Sequence, residues 1–195
     1  AVAAWAWGYH RCVDVLTRMD EIDADRIAVV GHSRGGKTSL LAGATDERIA
    51  VTGANDSGAG GAGCYRIQGP ESERIEHLMR NIAYWFGPKL KDYVGRETEL
   101  PFDQHFLKAL VAPRALVTTE ALGDLWANPT GTWQTHRAAR EVFKFLDAED
   151  RIGIHYREGA HAHTLDDWKT FLDFAEAMFA GRRAGEKFYT RQFEM

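Results

Sequence analysis

The sequence predicts an α/β fold, a mainly parallel sheet with helices on both faces, and three observations support this prediction. Four short apolar runs rich in β-branched residues alternate with segments of helical periodicity. The chain between successive runs is long enough for the crossover that parallel strands require. The 195 residues, 45% hydrophobic and 27% charged, are an ordinary composition for one globular domain. Reactive groups in such a sheet gather at the carboxyl ends of the strands.

The first half of the chain predicts two helices and two strands. Apolar side chains recur at helical spacing over residues 2–18, and a buried strand follows at 27–30. After a glycine-rich turn, helix formers occupy 37–44 and a second buried strand occupies 49–53. Residues 57–70 are rich in Gly, Ala and Ser, so we expect a long functional loop there.

The second half predicts two further strands, each followed by a helix. The predicted elements are a helix at 75–86, a short helix within 100–111, a strand at 115–119, a helix at 132–147, a strand at 152–156 and a helix at 165–179. We treat residues 1–195 as a single domain, with the polar residues 182–195 as a frayed tail.

Charge and composition exclude several classes of partner. The net charge of -4 provides no basic field, so we expect neither nucleic acid nor an anionic membrane as the main partner. Two cysteines cannot build a disulfide scaffold, and no apolar run approaches the roughly 20 residues of a membrane span. The chain starts without a methionine, in a helix-like segment, so we expect it to begin inside a longer protein.

The stretch VGHSRGGKT, residues 30–38, fits two chemical motifs. Over residues 31–35 it reads G-x-S-x-G, the sharp strand-to-helix turn that exposes a nucleophilic serine, here Ser33. In that motif Gly31 and Gly35 leave room for the neighbouring strand and helix. Over residues 31–38 it reads G-x-x-x-x-G-K-T, the phosphate-binding loop of nucleotide hydrolases, in which Lys37 would reach the phosphates. Both motifs need a strand before them and a helix after them.

Polar residues at the other strand ends favour the serine hydrolase. Acids follow the second and third predicted strands and a histidine follows the fourth, in the set Asp56, Glu120, Asp124 and His161. The order Ser, Asp, His along the chain is that of the α/β-hydrolase family. An imidazole must accept the serine proton, and a carboxylate must orient the imidazole. Glu120 lies too close to its strand end to be that carboxylate.

His161 and His163 form an H-x-H pair, a spacing that can ligate a metal. No nearby Cys or Glu completes a ligand set, so we expect no metal and no other cofactor.

A narrower resemblance follows from longer segments. Residues 31–62, GHSRGGKTSLLAGATDERIAVTGANDSGAGGA, resemble the glucuronoyl esterases of carbohydrate esterase family fifteen. The likeness continues through LPFDQHFLKALVAPRALV, DLWANPTG and REGAHAHTLDDW, so it covers most of residues 25–178. Fungal members carry cysteines beside the serine and the histidine, where this chain has His32 and Ala162, which indicates a bacterial-type member.

This resemblance implies an α/β-hydrolase fold and a substrate. The substrate would be the ester between 4-O-methyl-glucuronic acid of xylan and a lignin alcohol, cleaved through an acyl-enzyme without metal. Ser33 would be the nucleophile and His161 the base. Arg34 would add its guanidinium to the oxyanion hole, Lys37 would bond sugar hydroxyls, and Trp126 would form an aromatic wall for the sugar. A polysaccharide substrate implies a secreted or periplasmic enzyme, although the sequence carries no signal that shows it.

The resemblance offers two positions for the triad acid, and both are occupied here. Asp56 follows the second predicted strand and Asp124 the third. A carboxylate can reach the imidazole from either strand, so the sequence leaves both open. We prefer Asp124 slightly, because Asp56 is one methylene shorter than the glutamate that many members carry there.

The family's fold has several strands before the serine turn, whereas this chain starts one helix before it. We therefore expect either a fragment, the C-terminal half of such a protein, or self-association that completes the sheet. Three alternatives to a glucuronoyl esterase stay open: another carbohydrate esterase such as an acetyl xylan esterase, a nucleotide phosphohydrolase, and an inactive carbohydrate-binding remnant.

Overall fold

Four strands and six α-helices organise residues 1–190 and 193, the part of the chain that this computed structural model describes. The strands are β1 (Ala28–His32), β2 (Val51–Asn55), β3 (Ala115–Ala121) and β4 (Ile152–Arg157). The helices are α1 (Val2–Leu16), α2 (Arg34–Thr45), α3 (Ile75–Ile82), α4 (Gln104–Ala109), α5 (Pro129–Phe145) and α6 (Leu165–Phe179).

The strands form one parallel sheet in the order β1-β2-β3-β4. Alternate side chains of β2 and β3 face opposite sides, as a pleated strand requires. Val51 and Val117 pack against α6 on one face, while Ala54 and Leu116 pack against α2 and α5 on the other. Helix α1 lies against α2 and the start of β1. The predicted parallel sheet with helices on both faces is therefore confirmed.

In-register pairing aligns the carboxyl ends of the strands. His32 pairs with Asn55, Asn55 with Thr119, and Thr119 with His155. The segments that leave β1, β2, β3 and β4 consequently start at a common edge of the sheet. This alignment brings residues that are far apart in sequence to one place.

The glycine-rich segment differs from the loop expected over 57–70. Residues 57–65 are buried inside the protein. Gly58 and Gly60 have φ of +58° and +78°, in the left-handed region that glycine adopts without strain. Small side chains are needed here because the segment packs inside the protein, and only its later part, from residue 66, reaches the surface.

Several boundaries also differ from the prediction, as with α2, which spans Arg34–Thr45, and α3, which ends at Ile82. Helix α5 begins at Pro129, three residues early, because the Asn128 side chain accepts the Gly131 N–H and caps the helix. Within the predicted tail, Ala184 and Phe188 join the core cluster of α6. Residues 191, 192, 194 and 195 of that tail lie outside the described residues.

No helix in the described ranges has both the length and the apolar character needed to cross a bilayer.

Phe188→Ala tests whether the end of the chain belongs to the core. Phe188 is 1% exposed and contacts Phe174, so truncation should lower the free energy of unfolding by about 3–5 kcal/mol, measured by urea denaturation. Phe145→Ala is the matched control, because Phe145 is 84% exposed and its loss should change stability by less than about 0.5 kcal/mol. Equal effects of the two substitutions would contradict the packing of Phe188 in the core.

Candidate active site

Ser33 occupies the turn between β1 and α2 in a backbone conformation that few residues adopt. Its φ is 56° and its ψ is −121°. The turn is held from both sides, since the Ser33 N–H donates to the Asn55 carbonyl at 2.9 Å and the Ser33 carbonyl accepts the Lys37 N–H at 3.1 Å. Strain of this kind persists only where the surrounding structure enforces it, and it is the geometry of a nucleophile elbow.

Two glycines allow this turn to close, but they are not both the expected ones. A Cβ on Gly31 would lie 2.1 Å from the Gly35 carbonyl oxygen, and one on Gly36 would lie 2.7 Å from Ser57 Cβ. A Cβ on Gly35 would meet no described atom within 4 Å. The close approach predicted for Gly31 is present, whereas the one predicted for Gly35 belongs to Gly36.

Three side chains from separate strand ends form a continuous hydrogen-bonded chain. Ser33 Oγ lies 2.9 Å from His161 Nε2, and His161 Nδ1 lies 2.5 Å from Asp124 Oδ2. Asp124 is 4% exposed, while 43% of the His161 side chain is exposed. With Nδ1 donating to the carboxylate, Nε2 is left free to accept the serine proton. The arrangement can therefore generate an alkoxide-like nucleophile.

Asp56, the other candidate acid, is bound elsewhere. Its Oδ1 accepts the Ala121 N–H at 2.7 Å, and its Oδ2 accepts from Arg157 Nη2 at 3.2 Å. Asp56, Asp124 and His161 bring potential metal ligands within 4.8 Å of one another, but each already has an internal partner. Between the two acids that the sequence left open, the structure pairs Asp124 with the imidazole.

Burial changes the protonation of Asp56. Its pKa is raised to about 6, mainly because burial disfavours the charged form and also because Asp124 is close; the Ala121 N–H and the Arg157 guanidinium oppose the shift. The neighbouring Glu120 is fully buried, and burial raises the pKa of Glu120 well above its ordinary value. Glu120 makes no hydrogen bond to the imidazole within residues 1–190, in agreement with its exclusion as the triad acid.

Lys37 points into the protein, not into the cleft. Its Nζ donates to the carbonyls of Ser57 and Ala59, each at 2.7 Å, and to Glu73 Oε2 at 2.9 Å. An ammonium has three N–H bonds, so all of its donors are used. The expectation that Lys37 bonds sugar hydroxyls is not met by this arrangement. Glu73, which the sequence analysis did not single out, supplies the negative charge that pairs with the Lys37 ammonium.

The same contacts count against a phosphate-binding loop. The Lys37 ammonium that would reach the phosphates is 4% exposed and fully paired. The Thr38 hydroxyl, which would help to hold Mg²⁺, donates to the Arg34 carbonyl at 2.9 Å. Neither side chain is free to contact a nucleotide.

A cleft of about 790 Å³ opens beside His161 and Asp124. Trp126 lines it, is 45% exposed, and contacts the His77 ring at a centroid distance of 4.8 Å. Arg34, at the first turn of α2, is exposed, and within the described chain its guanidinium makes no hydrogen bond or ion pair. Both side chains are therefore available to a ligand.

A row of rings covers one side of the imidazole. His32 lies against His161 at a centroid distance of 4.5 Å and against His163 at 5.6 Å, and His163 stacks on Trp168 at 4.7 Å. Burial lowers the pKa of His32 and of His163, so both rings favour the neutral form. His32 therefore packs against both histidines of the H-x-H pair, and His163 is stacked between His32 and Trp168.

Comparison with known proteins identifies relatives over most of the chain. A family model described as glucuronyl esterase, fungi, matches residues 1–147. A 4-O-methyl-glucuronoyl methylesterase 1 of Phanerochaete chrysosporium is 41% identical over 172 residues, which are 84% of this chain and 36% of that protein.

Two solved structures have the same fold. A carbohydrate esterase family 15 glucuronoyl esterase from Caldicellulosiruptor kristjansonii has a TM-score of 0.93 and 38% identity, and the match covers 100% of this chain and 54% of that one. A glucuronoyl esterase from Sporotrichum thermophile, solved with methyl 4-O-methyl-beta-D-glucopyranuronate, has a TM-score of 0.83 and 29% identity over 95% of this chain and 53% of that one. The chain thus spans about half the length of these relatives, or less.

Comparing the wild type with Asp56→Asn should show how much Asp56 contributes to the pH dependence of the unfolding free energy. The native pKa of about 6 lies above the ordinary 3.8, so the folded protein binds this proton more tightly than the unfolded chain does. The stabilisation is complete below pH 3.8 and is lost as pH rises through about 6. Relative to Asp56→Asn, the wild type should lose about 3 kcal/mol of unfolding free energy between about pH 4 and pH 7.

Urea denaturation of both proteins across this pH range provides the measurement. Repeating the series in high salt is the control, because the burial contribution is screened much less than a surface charge is. A constant difference between the two proteins at every pH would contradict the assigned cause.

Proposed function

Because the chain belongs to the glucuronyl esterase family, we propose that it carries the catalytic residues of a serine carboxylesterase acting on esters of 4-O-methyl-glucuronic acid. The observation that carries this proposal is the hydrogen-bonded chain from Ser33 through His161 to Asp124. The names of its relatives, methylesterases of 4-O-methyl-glucuronate, support the choice of the acyl group. In plant cell walls the ester would join a xylan side branch to a lignin alcohol.

The proposed first step forms an acyl-enzyme. Ser33 Oγ attacks the ester carbonyl while His161 Nε2 accepts its proton, and the buried Asp124 carboxylate stabilises the resulting imidazolium. The tetrahedral intermediate collapses, the C–O bond to the alcohol breaks, and His161 returns the proton to the departing oxygen. Water then attacks the Ser33 ester with His161 again as base, which releases the glucuronate and restores the serine.

The negative charge of the tetrahedral intermediate needs donors in place before it forms. The first turn of α2 supplies unpaired backbone N–H groups next to Ser33, at the positive end of the helix. We assign the N–H and the guanidinium of Arg34 to this oxyanion hole, because the side chain is exposed beside Ser33. A charged donor binds an oxyanion more strongly than a neutral one does.

Sugar binding is assigned to the cleft beside the triad. Trp126 presents a half-exposed ring at its wall, and sugar rings pack well on aromatic faces. Lys37 contributes indirectly in this proposal, since it holds Glu73 and the buried glycine-rich segment.

Self-association is a separate proposal about the edge of the sheet. β1 pairs with β2 on one side, and no strand among residues 1–190 pairs with its other side. The backbone groups of this edge could accept a strand from a second copy of the chain. Light scattering of the purified protein decides whether it forms a dimer.

The purified protein should hydrolyse a methyl or benzyl ester of 4-O-methyl-glucuronate and leave acetylated xylan intact. Ser33→Ala should reduce kcat by at least about 10³-fold, because it removes the hydroxyl that is hydrogen-bonded to His161 Nε2 and that attacks the ester. Ser72→Ala is the matched control: Ser72 also lines the cleft, but its hydroxyl donates to the Gly69 carbonyl and should be dispensable.

A fluorophosphonate probe separates an enzyme from a binding remnant, because covalent labelling requires an activated serine. Wild type and Ser72→Ala should be labelled, and Ser33→Ala should not. Full turnover by Ser33→Ala would end the proposed mechanism, and release of acetate in place of glucuronate would replace it by that of another carbohydrate esterase.

The two aspartates should differ sharply when each is replaced by Asn. Asp124→Asn should lower kcat by about 10³- to 10⁴-fold, because the amide no longer holds the imidazole in the required tautomer. Asp56→Asn should cost less than about tenfold, since Asp56 touches Ala121 and Arg157 but not the imidazole. Steady-state kinetics on the glucuronate ester provides the comparison, and the reverse ranking would assign the triad acid to Asp56.

A further inference from the structure

His161 depends on a segment with no regular backbone structure. Residues 158–164 connect β4 to α6 without forming a helix or a strand. Among the described residues, one backbone hydrogen bond joins them to the loop after β3: the Gly123 N–H donates to the Gly159 carbonyl at 3.0 Å. Yet the imidazole must meet Ser33 on one side and Asp124 on the other within hydrogen-bonding distance. Some other contact has to hold this segment, which we call the histidine loop.

The histidine loop curls around the side chain of Arg157, the last residue of β4. Arg157 Nη1 donates to the Glu158 carbonyl at 3.2 Å and to the Ala160 carbonyl at 3.4 Å. Its Nη2 donates to the Ala160 carbonyl at 3.4 Å and to the Ala162 carbonyl at 2.5 Å. One guanidinium therefore binds the peptide groups on both sides of His161.

Asp167 fixes the guanidinium from the other direction. Both of its carboxylate oxygens accept from Arg157 Nε at 2.8 Å. The same carboxylate accepts the N–H of Thr164 at 2.8 Å and its hydroxyl at 2.7 Å. Burial alone would raise the pKa of Asp167, but the bonds from Arg157 and Thr164 outweigh it and lower that pKa. The two ends of the histidine loop are thus tied to one buried carboxylate.

A second carboxylate completes the cage. Asp56 Oδ2 accepts from Arg157 Nη2 at 3.2 Å, while Asp56 Oδ1 is bound to the backbone of β3. The Arg157 side chain is 10% exposed, and those of Asp56 and Asp167 are 0% and 1% exposed. All three guanidinium nitrogens have partners. A planar group with five N–H donors fits this set, whereas a lysine ammonium has only three.

We infer that Arg157 is a positioning residue, which holds the histidine loop in the conformation that places the His161 imidazole between Ser33 and Asp124. Arg157 acts through the loop and not on the substrate. Its effect on turnover rests on the proposed function, while its effect on the position of the imidazole does not.

Arg157→Lys is the primary test, because it keeps a positive charge beside the two buried carboxylates. We expect kcat on the glucuronate ester to fall about 10- to 100-fold with KM within about twofold, since ground-state binding in the cleft is unaffected. In NMR spectra, the ring protons of His32 and His161 should give a nuclear Overhauser cross-peak in the wild type, where the ring centroids lie 4.5 Å apart. That cross-peak should be lost or strongly weakened in Arg157→Lys.

Arg183→Lys is the matched control. Arg183 also binds two carboxylates, Asp150 and Glu186, but it lies in the segment after α6 and has no contact with the histidine loop among the described residues. Its replacement should leave kcat and the cross-peak unchanged. If Arg157→Lys does not fold, Asp167→Asn decides by the same two measurements, because it releases Arg157 Nε and Thr164 while nearly preserving side-chain shape.

The outcomes separate the two proposals. Wild-type kcat together with an intact cross-peak in Arg157→Lys would overturn the role of Arg157. A lowered kcat with an intact cross-peak would overturn it as well, because Arg157 would then act by another route. A wild type without a cross-peak would contradict the loop geometry itself. If the wild type shows the cross-peak but hydrolyses no ester, the proposed function fails, and the cross-peak in the variant still decides the role of Arg157.

Discussion

The site depends on one constraint, the in-register parallel pairing of four strands. Because His32, Asn55 and Thr119 lie side by side across the sheet, the chain leaves the strands at a shared edge. A one-residue shift of a strand would turn each of its side chains to the opposite face. The sheet therefore brings the segments that carry Ser33, Asp124 and His161 to one edge, and contacts made by side chains at that edge set the final distances between these residues.

Buried charges then stabilise the loops that the sheet places together. Lys37 and Glu73 join α2 to the chain before α3, while Arg157 joins β4 to Asp56 and to α6. A buried charge is tolerated only with a partner of opposite sign and further hydrogen bonds, and both lysine and arginine here have them. These groups are costly to bury, which is consistent with a role in holding loops whose own backbones make few bonds.

The two carboxylates near the imidazole illustrate how the surroundings assign roles. Asp124 is bound to His161, whereas Asp56, a few ångströms away, is bound to the backbone of β3 and to Arg157. Their chemistry is the same, and their partners differ. The ring stack of His32, His163 and Trp168 adds a wall on the other side of the imidazole, so His161 is confined from several directions.

Sequence alone determined the alternation of strands and helices, the turn at Ser33, and the placement of Ser33, His161 and two candidate acids, Asp56 and Asp124, at strand ends. These features follow from local periodicity and from the backbone needs of one short motif, which neighbouring residues reveal. Only the tertiary structure decided that Lys37 turns inward to Glu73 and that Arg157 binds Asp56. The two residues of each pair lie 36 and 101 positions apart in the sequence, and a long charged side chain binds an opposite charge that the fold brings close to it. The packing of α2, β3 and β4 sets the distance between these charges, and no local pattern in the sequence encodes it.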